Sequence, residues 1–283
     1  MKRILFLCAL AAVFAQGVEA RTFRIMSFNI RLATPADGIN EWKYRRADVV
    51  EYMKTMKPDA FGMQEVKPEQ LEYLVAELPD YDYVGVARDD GKNKGEYCPV
   101  FYLKQRYEPI ESGTFWLSET PEEPSFGWNS ACRRICSWVL LQDKKNGHRF
   151  VCANTHLDHV SEPTNIHGSE LIKERLGKVA GGLPILITGD FNSYETSKAY
   201  HNMLDSGFPM VDAHKVAKKC EGMRSSLHIW GEIPDEKAVK IDFAFITPGI
   251  KVKKSCVYDS YLGDGRWLSD HHPYYADLDG KKF

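Results

Sequence analysis

The chain has 283 residues, with 37 Lys and Arg against 39 Asp and Glu and a formal net charge of −2. A protein that holds long nucleic acid mainly through phosphate contacts is usually basic. The charge balance therefore argues against processive tracking of DNA or RNA, while a local basic groove stays open. A chain of this length can bury a substantial core as one domain, and no repeat or low-complexity linker divides it, which suits a monomer.

Residues 1–20 have the pattern of a signal peptide. Lys2 and Arg3 precede an apolar stretch from Ile4 to Phe14, and Val18-Glu19-Ala20 offers a small-residue cleavage site. The stretch is too short to span a bilayer comfortably. Export to the periplasm or the medium is the expectation, leaving residues 21–283 as one domain with no membrane span. Cys98, Cys132, Cys136, Cys152, Cys220 and Cys256 remain after cleavage. Export permits disulfides, but pairing does not follow from the sequence. Cys132 and Cys136 lack a second pair at zinc spacing.

The first apolar run, residues 25–32 (IMSFNIRL), reads as a strand that delivers Asn29. A helical pattern follows from Glu41 to Met56 and stops at Lys57-Pro58. Residues 60–63 form a strand that delivers Glu65. Pro68 opens a second helix with Leu71, Leu74, Val75 and Leu78 on one face. Strand-like runs cover 81–86, 100–103, 137–141 and 150–155, the last ending in Asn154-Thr155-His156-Leu157-Asp158. Residues 113–129, rich in Pro and Gly and holding Trp116 and Trp128, read as a long loop. Helices are expected over 170–179 and 197–204, with the strand of Gly189-Asp190-Phe191-Asn192 between them. The remainder is mostly β, at 241–247, 251–258 and 274–278. Helices among paired strands point to an α/β domain.

Five polar clusters thus each end a short β-rich run. They place Asn29, Glu65, His156, Asp190, Asn192, Asp242, Asp270 and His271 where strands reach the surface. Carboxylates, amides and imidazoles without a nucleophilic Ser or Cys suggest metal-assisted hydrolysis of a charged ester. Glu65 offers the hard oxygen that Mg²⁺ prefers. Asp242 and His271 suit a carboxylate–imidazole pair, in which the carboxylate fixes the tautomer and favours the protonated ring. Whether His271 serves as base or as charge stabiliser stays open.

Gln64-Glu65, Gly189-Asp190-Phe191-Asn192 and Ser269-Asp270-His271-His272-Pro273, in that order, resemble the endonuclease/exonuclease/phosphatase superfamily of DNase-like metal phosphoesterases. The resemblance runs from Phe23 to the C-terminus. It implies a four-layer sandwich of two stacked mixed β-sheets flanked by helices. By resemblance, Asn29, Glu65 and Asp270 belong to a site for Mg²⁺ (or Mn²⁺), and Asp190 handles the attacking water. Asn192 would bind the phosphate or support Asp190, and His156 would donate to a phosphoryl oxygen. Tyr102, Arg134 and His228 are candidates for substrate contact, with Arg133 competing with Arg134 on position alone. Trp128 is assigned to the substrate side and Trp116 to the core. Asp158, His159 and His272 read as structural. The abasic-DNA nucleases of the superfamily resemble one another in an acidic residue where this chain has Arg31. The Trp-bearing loop resembles instead a group of exported bacterial members.

The leading expectation is an exported phosphoesterase acting on a phosphodiester or phosphomonoester by direct water attack, with a small or glycan-linked ester favoured. An extracellular nuclease acting on DNA or RNA is the alternative. A non-enzymatic protein binding sugars or a partner through the Trp loop is the third reading. Retention of Glu65, Asp190, Asn192, Asp242, Asp270 and His271 argues against it.

Overall fold

The computed structural model describes residues 21–205, 207–237 and 239–283, without the side chain of Lys282. The expected signal peptide lies outside the described residues. In chain order the elements are β1 (Thr22–Asn29), α1 (Trp42–Met56), β2 (Ala60–Gln64), α2 (Pro68–Glu77), β3 (Tyr81–Val84) and β4 (Val100–Leu103). Then follow β5 (Tyr107–Trp116), β6 (Ile135–Asp143), β7 (Arg149–His156), α3 (Glu162–Ala180), β8 (Ile185–Asp190) and α4 (Lys198–Asp205). The C-terminal part holds β9 (Val211–Asp212), β10 (Cys220–Gly222), β11 (Asp242–Ile246), β12 (Val252–Val257), β13 (Tyr261–Gly263), β14 (Arg266–Trp267) and β15 (Tyr274–Asp279).

Seven strands form one mixed sheet in the order β10-β12-β15-β1-β2-β4-β3, and six form a second in the order β5-β6-β7-β8-β11-β9. The two-residue side-chain period of a strand explains how they stack. In β1, Phe23 and Ile25 enter the core between the sheets, whereas Met26 and Phe28 pack with Val49, Met53, Leu71 and Leu74 of α1 and α2. In β8, Leu186 faces the inter-sheet core while Ile185 and Ile187 pack with Ile172, Leu176 and Met203 of α3 and α4. Helix, sheet, sheet and helix therefore make four layers, as expected from the sequence motifs.

The same alternation orders the inter-sheet layer along its length. One end is apolar, with Phe23, Phe150, Ile246 and Leu278. Further along, Ser27, Gln64, Asn154 and Thr188 replace it, all buried. Gln64 Nε2 donates to Asn154 Oδ1 at 2.6 Å, and Asn154 Nδ2 donates to the Met63 carbonyl at 2.7 Å. This polar layer leaves no room at Gly62, where an added Cβ would lie 2.2 Å from Asn154 Oδ1 and 2.3 Å from Thr188 Oγ1. Gly62→Ala is expected to destabilise the fold by at least about 1–3 kcal/mol, the usual range for overpacking. A thermal melt unchanged from wild type would show that the layer yields easily.

Several boundaries differ from those read in the sequence. Helix α3 starts at Glu162, not residue 170. Ser161 caps it by accepting from the Thr164 N–H at 3.3 Å, and Pro163 occupies the first turn. Residues 113–116 belong to β5 rather than to a loop. That strand lies at the sheet edge with residues 108–112 exposed, so it carries no alternating apolar signal. Val75 of α2 is exposed, so the apolar face of that helix is narrower than expected. Trp116 is 5% exposed and donates from Nε1 to the Arg88 carbonyl at 2.7 Å, which fixes it in the core. Cys98, Cys132, Cys136, Cys152, Cys220 and Cys256 are all free thiols. No described helix is long and apolar enough to cross a membrane.

Candidate active site

Asn29, His156 and Asp190 end strands β1, β7 and β8, and Asp242 begins the antiparallel β11. The pairing sets His156 beside Asp190 and Asp190 beside Asp242. Period two then turns His156, Asp190 and Asp242 to the inter-sheet side, as it turns Cys152, Leu186 and Ala244 deeper in. From the facing sheet, Asn29 Nδ2 donates to Asp190 Oδ2 at 2.9 Å and to Glu65 Oε1 at 3.0 Å. One amide thus holds two carboxylates together across the sandwich. Its own oxygen is taken by the Arg31 N–H at 3.0 Å.

Glu65 leaves β2 with φ 63, a left-handed turn that costs a non-glycine residue energy. Its second oxygen accepts the Leu32 N–H at 3.0 Å. Arg45, fully buried, donates to the carbonyls of Ile30, Arg31, Asn40 and Leu268, and so ties the turn after β1 to the segment that carries Asp270. Arg31 forks onto Asp37 and lies 3.8 Å from Asp270.

His271 Nδ1 lies 2.8 Å from Asp242 Oδ2, the expected carboxylate–imidazole pair. Its Nε2 is 3.8 Å from Asp190 Oδ2. Asn192 donates its backbone N–H to Asp190 Oδ1 at 2.9 Å, and its side-chain amide reaches His156 Nε2 at 3.0 Å and the Leu157 carbonyl at 3.0 Å. With Asn192 as donor, His156 Nε2 is the acceptor and Nδ1 carries the proton. That Nδ1 has no partner.

Arg31, Glu65, His156, Asp190, Asn192 and His271 line a cavity of about 440 Å³. Arg134 lines it too, 3% exposed, with Nη2 2.8 Å from His159 Nδ1, Nε 3.4 Å from Asp158, and Nη1 without a partner. Arg88, paired with Glu96 at 2.7 Å, is the third cation at the cavity wall beside Arg31. Left-handed backbone gathers there: Arg31, Glu65, Asn192, Ile229 and Trp230 all line the cavity with positive φ. Such strain persists only where the surroundings over-determine it.

Burial and the Asp242 charge push Asp190 up to about 7. Burial alone would lower His271, but Asp242, then Asp190 and Asp270, outweigh it and hold the ring well above its usual value. Burial, then the Arg134 and Arg88 charges, keep His156 neutral. Asp270 is raised by burial, with Glu65 adding to the effect. Burial also opposes ionisation of Glu65, but the Asn29 hydrogen bond and the His271 charge prevail and lower it.

Asp190, Asp242 and His271 offer ligand atoms within 4.8 Å of one another, a spacing that can hold a metal ion. A second acidic pair, Glu65 and Asp270, lines the same cavity. A cation at the first group would need an unprotonated His271, against the direction in which its neighbours drive it. Glu65 and Asp270 are hard carboxylates whose burial together suits a hard divalent cation.

Residues 26–271 match the Endonuclease/Exonuclease/phosphatase family. The chain belongs to that family. It is 41% identical to an endonuclease/exonuclease/phosphatase of Bacteroides vulgatus, whose crystal structure superposes with a TM-score of 0.88 over 91% of this chain and 98% of the other. A mannosyl-6-phosphatase of Bacteroides thetaiotaomicron is 32% identical, with a TM-score of 0.85 over 90% of this chain and 99% of that one. The exoribonuclease subunit Ccr4 of Saccharomyces cerevisiae is 24% identical over 233 residues, which span 66% of this chain and 27% of that protein. This member of the Endonuclease/Exonuclease/phosphatase family is a hydrolase of phosphate ester bonds.

Three substrate-side expectations do not fit the family member's geometry. Tyr102 is buried in the inter-sheet core and does not line the cavity. Strand β4 runs antiparallel to β2, so Tyr102 pairs with Ala60 at the end remote from Glu65. Trp128 lies over a separate groove between α3 and the β5–β6 face, its ring 5.0 Å from His167. His228 is buried, stacked 4.1 Å from His272 and 4.3 Å from Trp267. Its followers Ile229 and Trp230 reach the cavity instead. Arg133 forms no part of the cavity; it stands over the Phe126 ring. Sequence reading missed Arg88, Glu96 and Trp230, which lie outside the β-rich runs, and Arg45, whose helical setting looked ordinary.

Proposed function

We propose that the chain is an exported, Mg²⁺-dependent phosphoesterase that removes phosphate from a small or glycan-linked ester, a sugar phosphomonoester above all. The observation that carries this reading is Arg134: a buried guanidinium in the wall of the cavity, with one nitrogen, Nη1, unpartnered, near carboxylates that suit a cation. A phosphate supplies the missing acceptor. The slightly acidic chain and its similarity to a mannosyl-6-phosphatase favour a sugar phosphate over a nucleic acid.

In this reading Glu65 and Asp270 hold the divalent cation, and Asn29 fixes Glu65 relative to Asp190. The cation, when bound, neutralises phosphate charge. Asp190, near neutrality in pKa, orients the attacking water and accepts its proton. His271, kept protonated by Asp242, stabilises the charge that develops on phosphoryl oxygens, with Arg134 and the His156 Nδ1–H as further donors. Asn192 positions Asp190 and His156. No side chain serves as nucleophile, so no phosphoenzyme should be trapped during turnover.

The test is a comparison of kcat/KM with Mg²⁺ for hexose 6-phosphates, a generic phosphodiester, plasmid DNA and RNA. Hexose 6-phosphates are expected to be turned over best. A clear preference for plasmid or RNA would overturn this reading in favour of an extracellular nuclease. Export is tested on the protein produced in a bacterial host, where the secreted form should begin at Arg21; a cytoplasmic chain beginning at Met1 would refute it.

A further inference from the structure

The cavity wall formed by His159 and Asn192 is shared with a second chamber of about 320 Å³, so the two spaces adjoin. Its lining holds the carboxylates Asp158 and Glu162 but no Lys or Arg, and is richer in hydroxyls than the first cavity. Ser161, Ser193, Thr196 and Ser197 are short and hydroxyl-bearing, and Tyr194 is 56% exposed at its edge.

The chamber is built on fixed parts. Asp158 Oδ1 accepts the Val160 and Ser161 N–H groups, both at 3.0 Å, while its Oδ2 accepts the Ala131 N–H at 3.0 Å. The buried Asn165 donates to the Asp158 carbonyl at 2.8 Å and reaches Ser193 Oγ at 3.3 Å. These bonds hold the segments after β7 and β8 against each other. Ser193 and Tyr194 directly follow Asn192, so the chamber and the Asp190 centre share one rigid turn. Beyond the shared wall, Asp158 also serves the cavity, its Oδ2 lying 3.4 Å from Arg134 Nε.

A short hydroxyl lining with one exposed aromatic ring matches a polyhydroxylated ring, which presents hydroxyls at its rim and C–H groups on its face. A cavity of about 440 Å³ accommodates a phosphorylated hexose, and the next sugar then has this chamber as its neighbour. We propose that the second chamber binds the sugar adjacent to the phosphorylated one, and that Tyr194 is a specificity-determining residue that packs against its face. This rests on the sugar-phosphate reading above.

The experiment compares wild type and Tyr194→Ala, with Mg²⁺, on a hexose 6-phosphate and on a disaccharide bearing that phosphorylated hexose. Wild type is expected to favour the disaccharide by about tenfold in kcat/KM. Tyr194→Ala should lose that preference through KM while kcat on the monosaccharide stays within about twofold. Equal use of both substrates by wild type, or a preference unchanged in the variant, would overturn the proposal while leaving the sugar-phosphate reading intact. Failure of wild type on both sugars, with turnover of other phosphate esters, would instead overturn that reading and this proposal with it.

Discussion

Asp190→Asn is expected to lower kcat by about 10²–10⁴, the range that a positioned acid–base group contributes. Asp190 touches both sheets' contributions to the site, through Asn29 on one side and Asn192 on the other. With its pKa raised to about 7, the wild-type rate is expected to fall as pH drops below neutrality, because a protonated carboxyl cannot accept a proton from water. The variant should lose that limb of the pH profile. The sign for stability is the reverse. A carboxyl whose folded pKa is raised binds its proton more tightly in the folded state, so its contribution favours folding at low pH. That contribution is lost as pH rises from the ordinary carboxylate range, about 4, through about 7. Asp190→Asn should therefore compare better with wild type in thermal melts at pH 8 than at pH 5. Near-normal turnover in the variant would remove Asp190 from the centre of the mechanism.

Arg134→Ala is expected to lower kcat/KM by about 10²–10³, as loss of one preorganised donor to a developing oxyanion does. Arg134→Lys should recover little, because an ammonium cannot reproduce the planar fork that bridges His159 and Asp158 and is proposed to hold a phosphate. Stability should change little in either variant. Asp158 retains backbone N–H donors from Ala131, Val160 and Ser161, so it is not left as an uncompensated buried charge. Thermal melts separate this from a folding defect, and an unaltered kcat/KM in a folded Arg134→Ala protein would exclude Arg134 from phosphate binding.

What the sequence disclosed follows from the physics of strands. A buried strand reads as a short apolar run, and its first polar residues mark where it surfaces, so Asn29, Glu65, His156, Asp190 and Asp242 were legible as strand-end groups, whereas His271 lies in the connection between β14 and β15. Facing was less legible. Tyr102 ends the same kind of run, but the direction of β4 sends it to the opposite end of the sandwich, and strand direction is a property of the sheet rather than of the segment. Edge strand β5 escaped because solvent exposure removes the alternation. His228 was read as reaching substrate, yet the left-handed turn at Ile229 and Trp230 buries it against His272 and Trp267 and turns its neighbours outward. Arg88 and Trp230 lie in irregular segments, where no periodicity says which side chain faces the cavity.

The most direct test of the central claim is phosphate release by the chelator-stripped protein as Mg²⁺ is added back, with Glu65→Gln measured in parallel. Glu65 and Asp270 as the cation-holding pair predict no turnover without metal, recovery of wild type on titration, and a much higher Mg²⁺ requirement for Glu65→Gln. Full activity of wild type in chelator, with no tightly bound metal in the protein, would contradict a metal-dependent phosphoesterase at this site.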